Sequence, residues 1–272
     1  MLIIIHQQSN NKFEDKSLMI LKQFIRKISL KSLIIIVDLD LKYEFFSNGV
    51  LYIPGSNEYR EFSSFYIGLK RALASNPSLL LFTNETFFRY REFNIRKYLL
   101  FKKSIESINF DYGAATGEVH YFRAKPPYPF GKNNKYISTY FVFFNSPAIS
   151  TLKNINFCIF NKNILNPNNL NGLIFNYKFS NSYKAYTSLI EQSLHLGSHK
   201  VKWHLFERLN ENNFNKISLK GFSIVIEHAL SQIFETNNIR IIDALNTYFR
   251  IYVKIMDRFY LFIEKITLKL TK

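Results

Sequence analysis

Short unbroken apolar runs alternate along the chain with stretches in which apolar residues recur every three or four positions. Leu2 to Ile5 reads as a short buried strand. From about Lys16 to Leu30, Leu18, Leu21, Ile25 and Ile28 share one helical face, with Lys22, Arg26 and Lys27 between them. Leu33 to Val37, ending at Asp38, is the β-branched run of a strand covered on both faces, and Val50 to Ile53 follows, ending at Pro54-Gly55. Both are predicted as central parallel strands. A helix from about Tyr59 to Ala74 stops at Asn76-Pro77, and Leu79 to Thr83 is a further buried strand that delivers Asn84-Glu85-Thr86. This alternation, over the first ~110 residues, predicts a doubly wound α/β sheet, in which ligands bind beyond the carboxyl ends of the strands. Asp38, Asn57 and Asn84 stand at such ends.

The regularity then breaks. A basic, aromatic helix from about Glu92 to Ile108 leads into a glycine-bearing turn, Gly113 to Gly117, and a proline-rich loop, Arg123 to Pro129. Tyr136 to Phe144 is a strongly apolar strand, and Ser146-Pro147 opens a helix with proline in its first turn. Asn161 to Asn171 reads as a loop or crossover. Helices return from about Ser182 to Leu196 and from Leu219 to Phe234, the latter with Phe222, Val225, Ile226 and Leu230 on one face. From Ile241 to Lys272, polar residues recur at helical spacing against a broad apolar face. The chain is therefore divided into a body, 1–240, and a basic amphipathic C-terminal helix, 241–272. In that tail Arg250, Lys254, Arg258, Lys265, Lys269 and Lys272 outnumber Asp243, Asp257 and Glu264, which suits either an anionic membrane surface or packing on the body or a partner subunit.

Composition narrows the partners. The formal charge of +16 attracts anions, whether nucleic acid, anionic lipid or phosphorylated small molecules. The joint abundance of Ile, Asn, Lys, Phe and Tyr is what AT-rich coding DNA produces, so the basicity is in part compositional. Nucleic-acid binding without catalysis is the alternative reading, resting on this charge and on 28 Phe and 17 Tyr that can stack on bases. These aromatics mostly fall inside apolar runs, however, so no nucleic acid is expected. One cysteine, Cys158, leaves no internal disulfide and no CxxC-type zinc site. The amino terminus lacks the flanks of a secretory signal and no run reaches the ~18 apolar residues of a membrane span, so a cytoplasmic chain, peripheral at the inner face of the membrane, is expected.

Several residues can carry chemistry. Asp38-Leu39-Asp40 has the carboxylate spacing that holds a divalent ion, Mn or Mg, across two phosphates; equally, Asp38 can end a strand and Asp40 be solvated. Asn84 and Thr86 can hydrogen-bond sugar hydroxyls, Glu85 can hold a cation or a hydroxyl, and Arg89 or Arg91 can fork onto phosphate oxygens; the same window also reads as a polar turn with solvated arginines. Glu227, on a helix, and Glu118, two residues from His120, are alternative general bases for a hydroxyl. Glu227 can instead pair with a surface lysine. His195 and His199 share a helical spacing, but Gly197 and Ser198 weaken the helix, and no carboxylate completes a zinc set.

Asn84-Glu85-Thr86 after an apolar strand resembles the Asn-Asp-Ser/Thr signature of the rhamnan-synthesis-type glycosyltransferases, bacterial polysaccharide enzymes in which it replaces a metal-binding Asp-X-Asp. Ile137 to Phe144 is similar to their Gln-Ser-Tyr-Phe strand, and Glu227 to Gln232 to their later helix, whose Glu precedes a Leu-Ser step. Asn48-Gly49 and Pro54 to Asn57 look like the turns that approach the nucleotide. Glu85 stands where the family has Asp, and Ser138-Thr139 where it has Gln-Ser. The resemblance, over roughly residues 45–240, implies a GT-A-like, Rossmann-related fold with a mostly parallel sheet. It implies transfer from a nucleoside diphosphate sugar to a saccharide or lipid-linked acceptor in surface polysaccharide synthesis. On it, donor contacts fall to Asn57, Asn84, Glu85, Thr86, Arg89 and Arg91, and the base to Glu227 or Glu118. The oligomeric state stays open.

Overall fold

The computed structural model describes residues 1–8, 14–28, 31–85, 87, 95–121, 135–154, 175–195, 212–245, 251 and 255. The apolar runs become strands β1 (Leu2–Gln8), β2 (Ser32–Asp38), β4 (Val50–Pro54) and β5 (Leu79–Asn84), with β3 (Phe45–Ser47) preceding β4. Helices α1 (Glu14–Ile28) and α2 (Glu61–Leu73) connect the parallel strands. After α3 (Ile95–Glu106) come β6 (Ala114–Tyr121), β7 (Lys135–Asn145) and α4 (Ser146–Leu152), then α5 (Tyr177–Ser182), α6 (Lys184–His195), α7 (Phe214–Thr236) and β8 (Arg240–Asp243). One eight-stranded sheet results, in the order β3-β4-β2-β1-β5-β7-β6-β8.

The sheet is mixed, with four parallel strand pairs and three antiparallel ones. β1, β2, β4 and β5 pair in parallel, as does β8 with β6, whereas β3 on β4, β7 on β5 and β6 on β7 are antiparallel. Both faces are covered, which is why β2 reads as an unbroken Leu-Ile-Ile-Ile-Val run. On one face Ile3, Ile5, Leu80 and Phe82 meet Phe62, Phe65 and Leu69 of α2, Ala148 and Leu152 of α4, and Phe222, Ile226 and Leu230 of α7. The other face packs Leu2, Ile4, Ile34 and Phe143 against Leu21 and Phe24 of α1 and Phe101 and Ile105 of α3. The rings build these cores: Phe65 stacks on Phe82 at 4.6 Å, and Phe82 meets Phe144 edge-on at 5.2 Å. A smaller cluster of Phe175, Tyr186, Ile190 and Leu194 packs on Ile217 and Val225 of α7.

Three local expectations change. Asn48-Gly49, with positive φ at both residues, is the tip of the β3–β4 hairpin; it precedes β4 and so lies at the sheet's amino end, away from any nucleotide crevice. Gly117 lies within β6 rather than in a turn. The boundary after residue 240 falls inside a strand, because Arg240 N donates to Gly113 O at 2.8 Å and Ala244 N to Gly117 O at 2.8 Å, which draws Ile241 and Ile242 into the sheet. Of the expected tail helix, only Ile251 and Ile255 are described, both helical and exposed. Its cations lie outside the described residues. Among those residues no helix is long and apolar enough to cross a membrane.

α2 lies close enough to β1 to give a stability prediction. A Cβ on Gly68 would stand 2.4 Å from Ile5 Cγ2 and 3.2 Å from Val37 Cγ2, both in the core. Gly to Ala inside a helix ordinarily gains up to ~1 kcal/mol, but overpacking costs about 1–3 kcal/mol. Gly68→Ala is therefore expected to lower the unfolding free energy by roughly 1–2 kcal/mol in urea titration. A stabilised variant would show that the helix can back away from the sheet.

Candidate active site

Because β7 is antiparallel to both β5 and β6, β6 and β8 point the same way as β1, β2, β4 and β5. One edge of the sheet therefore collects Gln8, Asp38, Asn84, the end of β6 and the start of β7. The chain proceeds from β1 outward to β2 and β4, then crosses back to β5 on the other side of β1. The β1–β5 boundary is thus the topological switch point, where open α/β sheets bind ligands.

Beside it the β6–β7 ladder is broken. Val119 pairs with Ile137 and Gly117 with Val142, so Ser138 to Phe141 stand opposite Glu118 alone. Such a bulge re-aims side chains and strands backbone donors, and each buried unpaired N–H costs about 1–3 kcal/mol. Helix α7 supplies the missing acceptors. Thr139 N donates to Glu227 Oε1 at 2.7 Å, and Ile137 N donates to Ser231 Oγ at 3.0 Å. Glu227 and Ser231 are one helical turn apart, so a single face of α7 holds both amides. The hydroxyls of Thr139, at 2.9 Å, and Ser138, at 3.4 Å, also reach Glu227 Oε1. Gly117 leaves room for the bulge, since a Cβ there would stand 3.0 Å from Ile137 Cδ1 and 3.1 Å from Phe141 O.

On the β6 side Tyr140 donates its hydroxyl to Glu118 Oε2, while His120 Nε2 lies 3.7 Å from Oε1. The Glu118 and His120 side chains keep 12% and 28% of their exposure, so solvent reaches both. The His120 ring stacks on Tyr136 at 5.3 Å, Tyr136 lies 4.1 Å from the His228 ring, and His228 Nδ1 is 2.8 Å from the Tyr186 hydroxyl. Burial, with a smaller contribution from His120, pulls the His228 pKa down to about 3. Burial likewise pushes the Tyr186 phenol well above its ordinary value, with Tyr136 and Glu227 adding to it. At neutral pH the inner pair is therefore an uncharged imidazole against a protonated phenol.

The structure thus brings Glu227 and Glu118 to the two sides of one bulge. Asn84 and Glu85 are buried at the end of β5. Asn57 is exposed in the turn beyond β4. Asp38 is buried and accepts from Asp40 N on Oδ1 at 2.8 Å, which closes the strand-end turn and leaves Asp40 exposed. Among the described residues no three His, Cys, Asp or Glu side chains group as metal ligands. Thr86, Arg89, Arg91 and His199 lie outside those residues, as does the His195 side chain. Sequence reasoning missed Tyr140, Tyr136, Tyr186 and Ser231. Glu118 and His120, two apart and so on one face of a strand, were the available signal, obscured by reading Gly117 as a turn. No protein-family model matches the chain, and no curated protein or solved structure matches it either.

Proposed function

We propose that the chain is a glycosyltransferase, moving a sugar from a nucleoside diphosphate sugar to a saccharide hydroxyl in surface polysaccharide synthesis, with a GT-A-like site along the carboxyl edge of the sheet. One observation carries the reading: the strand 137–144 and the helix segment 227–232, far apart in sequence and each resembling a stretch of the same family, meet through the Glu227 Oε1 bond to Thr139 N at 2.7 Å. They meet beside the switch point, where a nucleotide fits on general grounds.

In the proposed reaction the acceptor oxygen bonds to the anomeric carbon as the bond from that carbon to the diphosphate oxygen breaks. The nucleoside diphosphate leaves with the electron pair. The acceptor proton passes to Glu118, which is solvent-accessible and oriented by Tyr140. Glu227 spends Oε1 on the bulge and positions Ser138 to Tyr140. Asn84 and Glu85 supply sugar or ribose contacts, with Asn57 at the neighbouring strand end, and Thr86, Arg89 and Arg91 complete the donor set. Asp38 Oδ1 accepts from Asp40 N at 2.8 Å, a bond that leaves a carboxylate able to coordinate, so Asp38 and Asp40 would hold a divalent ion across the diphosphate if one is used, and no step is routed through it.

Melting the protein with UDP, GDP, dTDP or CMP, with and without manganese, tests the donor. A ligand at ~100 times its Kd stabilises by about 2.7 kcal/mol, roughly 5–10 °C for a chain of this size. One of the three diphosphates is expected to shift the melt selectively, whereas a shift with CMP alone would overturn the diphosphate donor. Equal melting with all four would remove the nucleotide from the reading.

A further inference from the structure

Tyr43, Phe45 and Phe46 follow one another along β3 and its approach, and are 74%, 38% and 65% exposed. Phe45 is anchored, its ring stacked on Tyr52 at 4.7 Å. Phe46, opposite Leu51, overhangs a groove of about 360 Å³ between the edge strand and the end of α2, with Leu33, Ile35 and Leu51 as its floor and Arg71 on its wall. Phe45 and Phe46 point to opposite faces of the strand, so Tyr43 and Phe46 are the most exposed rings of this edge, and exposed rings along a sheet edge mark an interaction surface.

The charge around them selects the partner. Arg71 Nη2 holds Glu44 Oε1 at 2.9 Å, which neutralises both. Lys42 directly precedes Tyr43, Lys70 directly precedes Arg71 and Lys31 lies two residues before Leu33; all three are exposed, against an exposed Asp40, and Lys70 lies 4.3 Å over the Tyr66 ring. Aromatic side chains beside surplus lysines match a phospholipid interface, where rings settle at headgroup depth and each cation near an anionic leaflet adds attraction. A second copy would set these lysines, on a chain of charge +16, against themselves. We propose that the β3 edge, through Tyr43 and Phe46 with Lys31, Lys42 and Lys70, docks on an anionic lipid surface. This holds whether or not the chain transfers sugars.

Flotation of the full chain with phosphatidylcholine vesicles, and with vesicles that also contain phosphatidylglycerol, tests it. The wild type is expected to float with the anionic vesicles at low salt and to be released by high salt. Tyr43→Ser with Phe46→Ser is expected to weaken that partition about tenfold or more, and each of Lys31→Gln and Lys42→Gln about fivefold, with melting temperatures unchanged because all four side chains are exposed. The proposal is overturned if the wild type ignores anionic vesicles or if the serine pair floats as the wild type does. It is equally overturned if neutralising Lys265, Lys269 and Lys272 alone abolishes flotation, or if the serine pair turns a dimer into a monomer in sedimentation equilibrium.

Discussion

Glu118→Gln is expected to reduce turnover by the ~100- to 10,000-fold typical of losing a general base, while leaving nucleotide-induced stabilisation in place. The amide still accepts from Tyr140 but takes no proton, so the variant separates chemistry from binding. Glu227→Gln should behave differently. Its amide oxygen still accepts from Thr139 N, so the bulge is kept and turnover falls only modestly. Glu227→Ala leaves that amide without an acceptor and is expected to cost at least about 1–3 kcal/mol of stability, lowering turnover by displacing Tyr140. Steady-state kinetics with urea unfolding on all three variants decides the roles. If Glu227→Gln shows the large loss and Glu118→Gln does not, the two carboxylates exchange assignments. If neither does, the group-transfer reading loses its base.

Which parts of this molecule the sequence disclosed follows from the range of the interactions involved. β2 and β5 were legible because a strand buried on both faces is apolar throughout, whatever its neighbours are. α7 was expected from Leu219 to Phe234 and runs from Phe214 to Thr236. Its extra first turn is held by Phe214 and Ile217, both buried, the latter in the cluster with α6, a partner that periodicity alone does not reveal. β3 is too short to show a period, and half-exposed phenylalanines give no alternation. Over most of β8 the sequence predicts helix, because from Ile241 onward Asp243, Asn246, Arg250 and Lys254 recur at helical spacing. Its state is set instead by the open edge of β6, which offers Gly113 O and Gly117 O. The site shows the same division. Glu118 and Glu227 could be nominated one at a time, whereas the bulge that relates them is a mismatch between two strands, and neither strand carries it alone.

The fold is also expected to lose stability sharply as pH falls from about 6.5 toward 4, because two histidines are buried uncharged. His6 lies between Ile36 and Thr83 in the sheet with neither ring nitrogen hydrogen-bonded among the described residues, its ring edge-on to Phe87 at 5.9 Å, and burial lowers its pKa to about 4. His228 is lowered to about 3, by burial and then by His120. The unfolded chain begins to take up these protons near pH 6.5, while the native state refuses them until pH 4 and pH 3. Unfolding therefore gains protons throughout that window, and stability declines as pH falls. At about 1.4 kcal/mol per unit, His6 is worth roughly 3 kcal/mol and His228 roughly 5, each an upper bound, against the ~5–15 kcal/mol that holds a typical protein together. Urea unfolding between pH 6.5 and 5, where most carboxylates stay ionised, isolates the effect. A slope approaching 2.7 kcal/mol per pH unit is expected for two protons. His6→Phe, which keeps an aromatic ring against Phe87 and removes the titrating group, should take about half of that slope away while raising stability at the acid end. A slope unchanged by His6→Phe would mean that His6 takes up its proton in the native state as readily as in the unfolded chain.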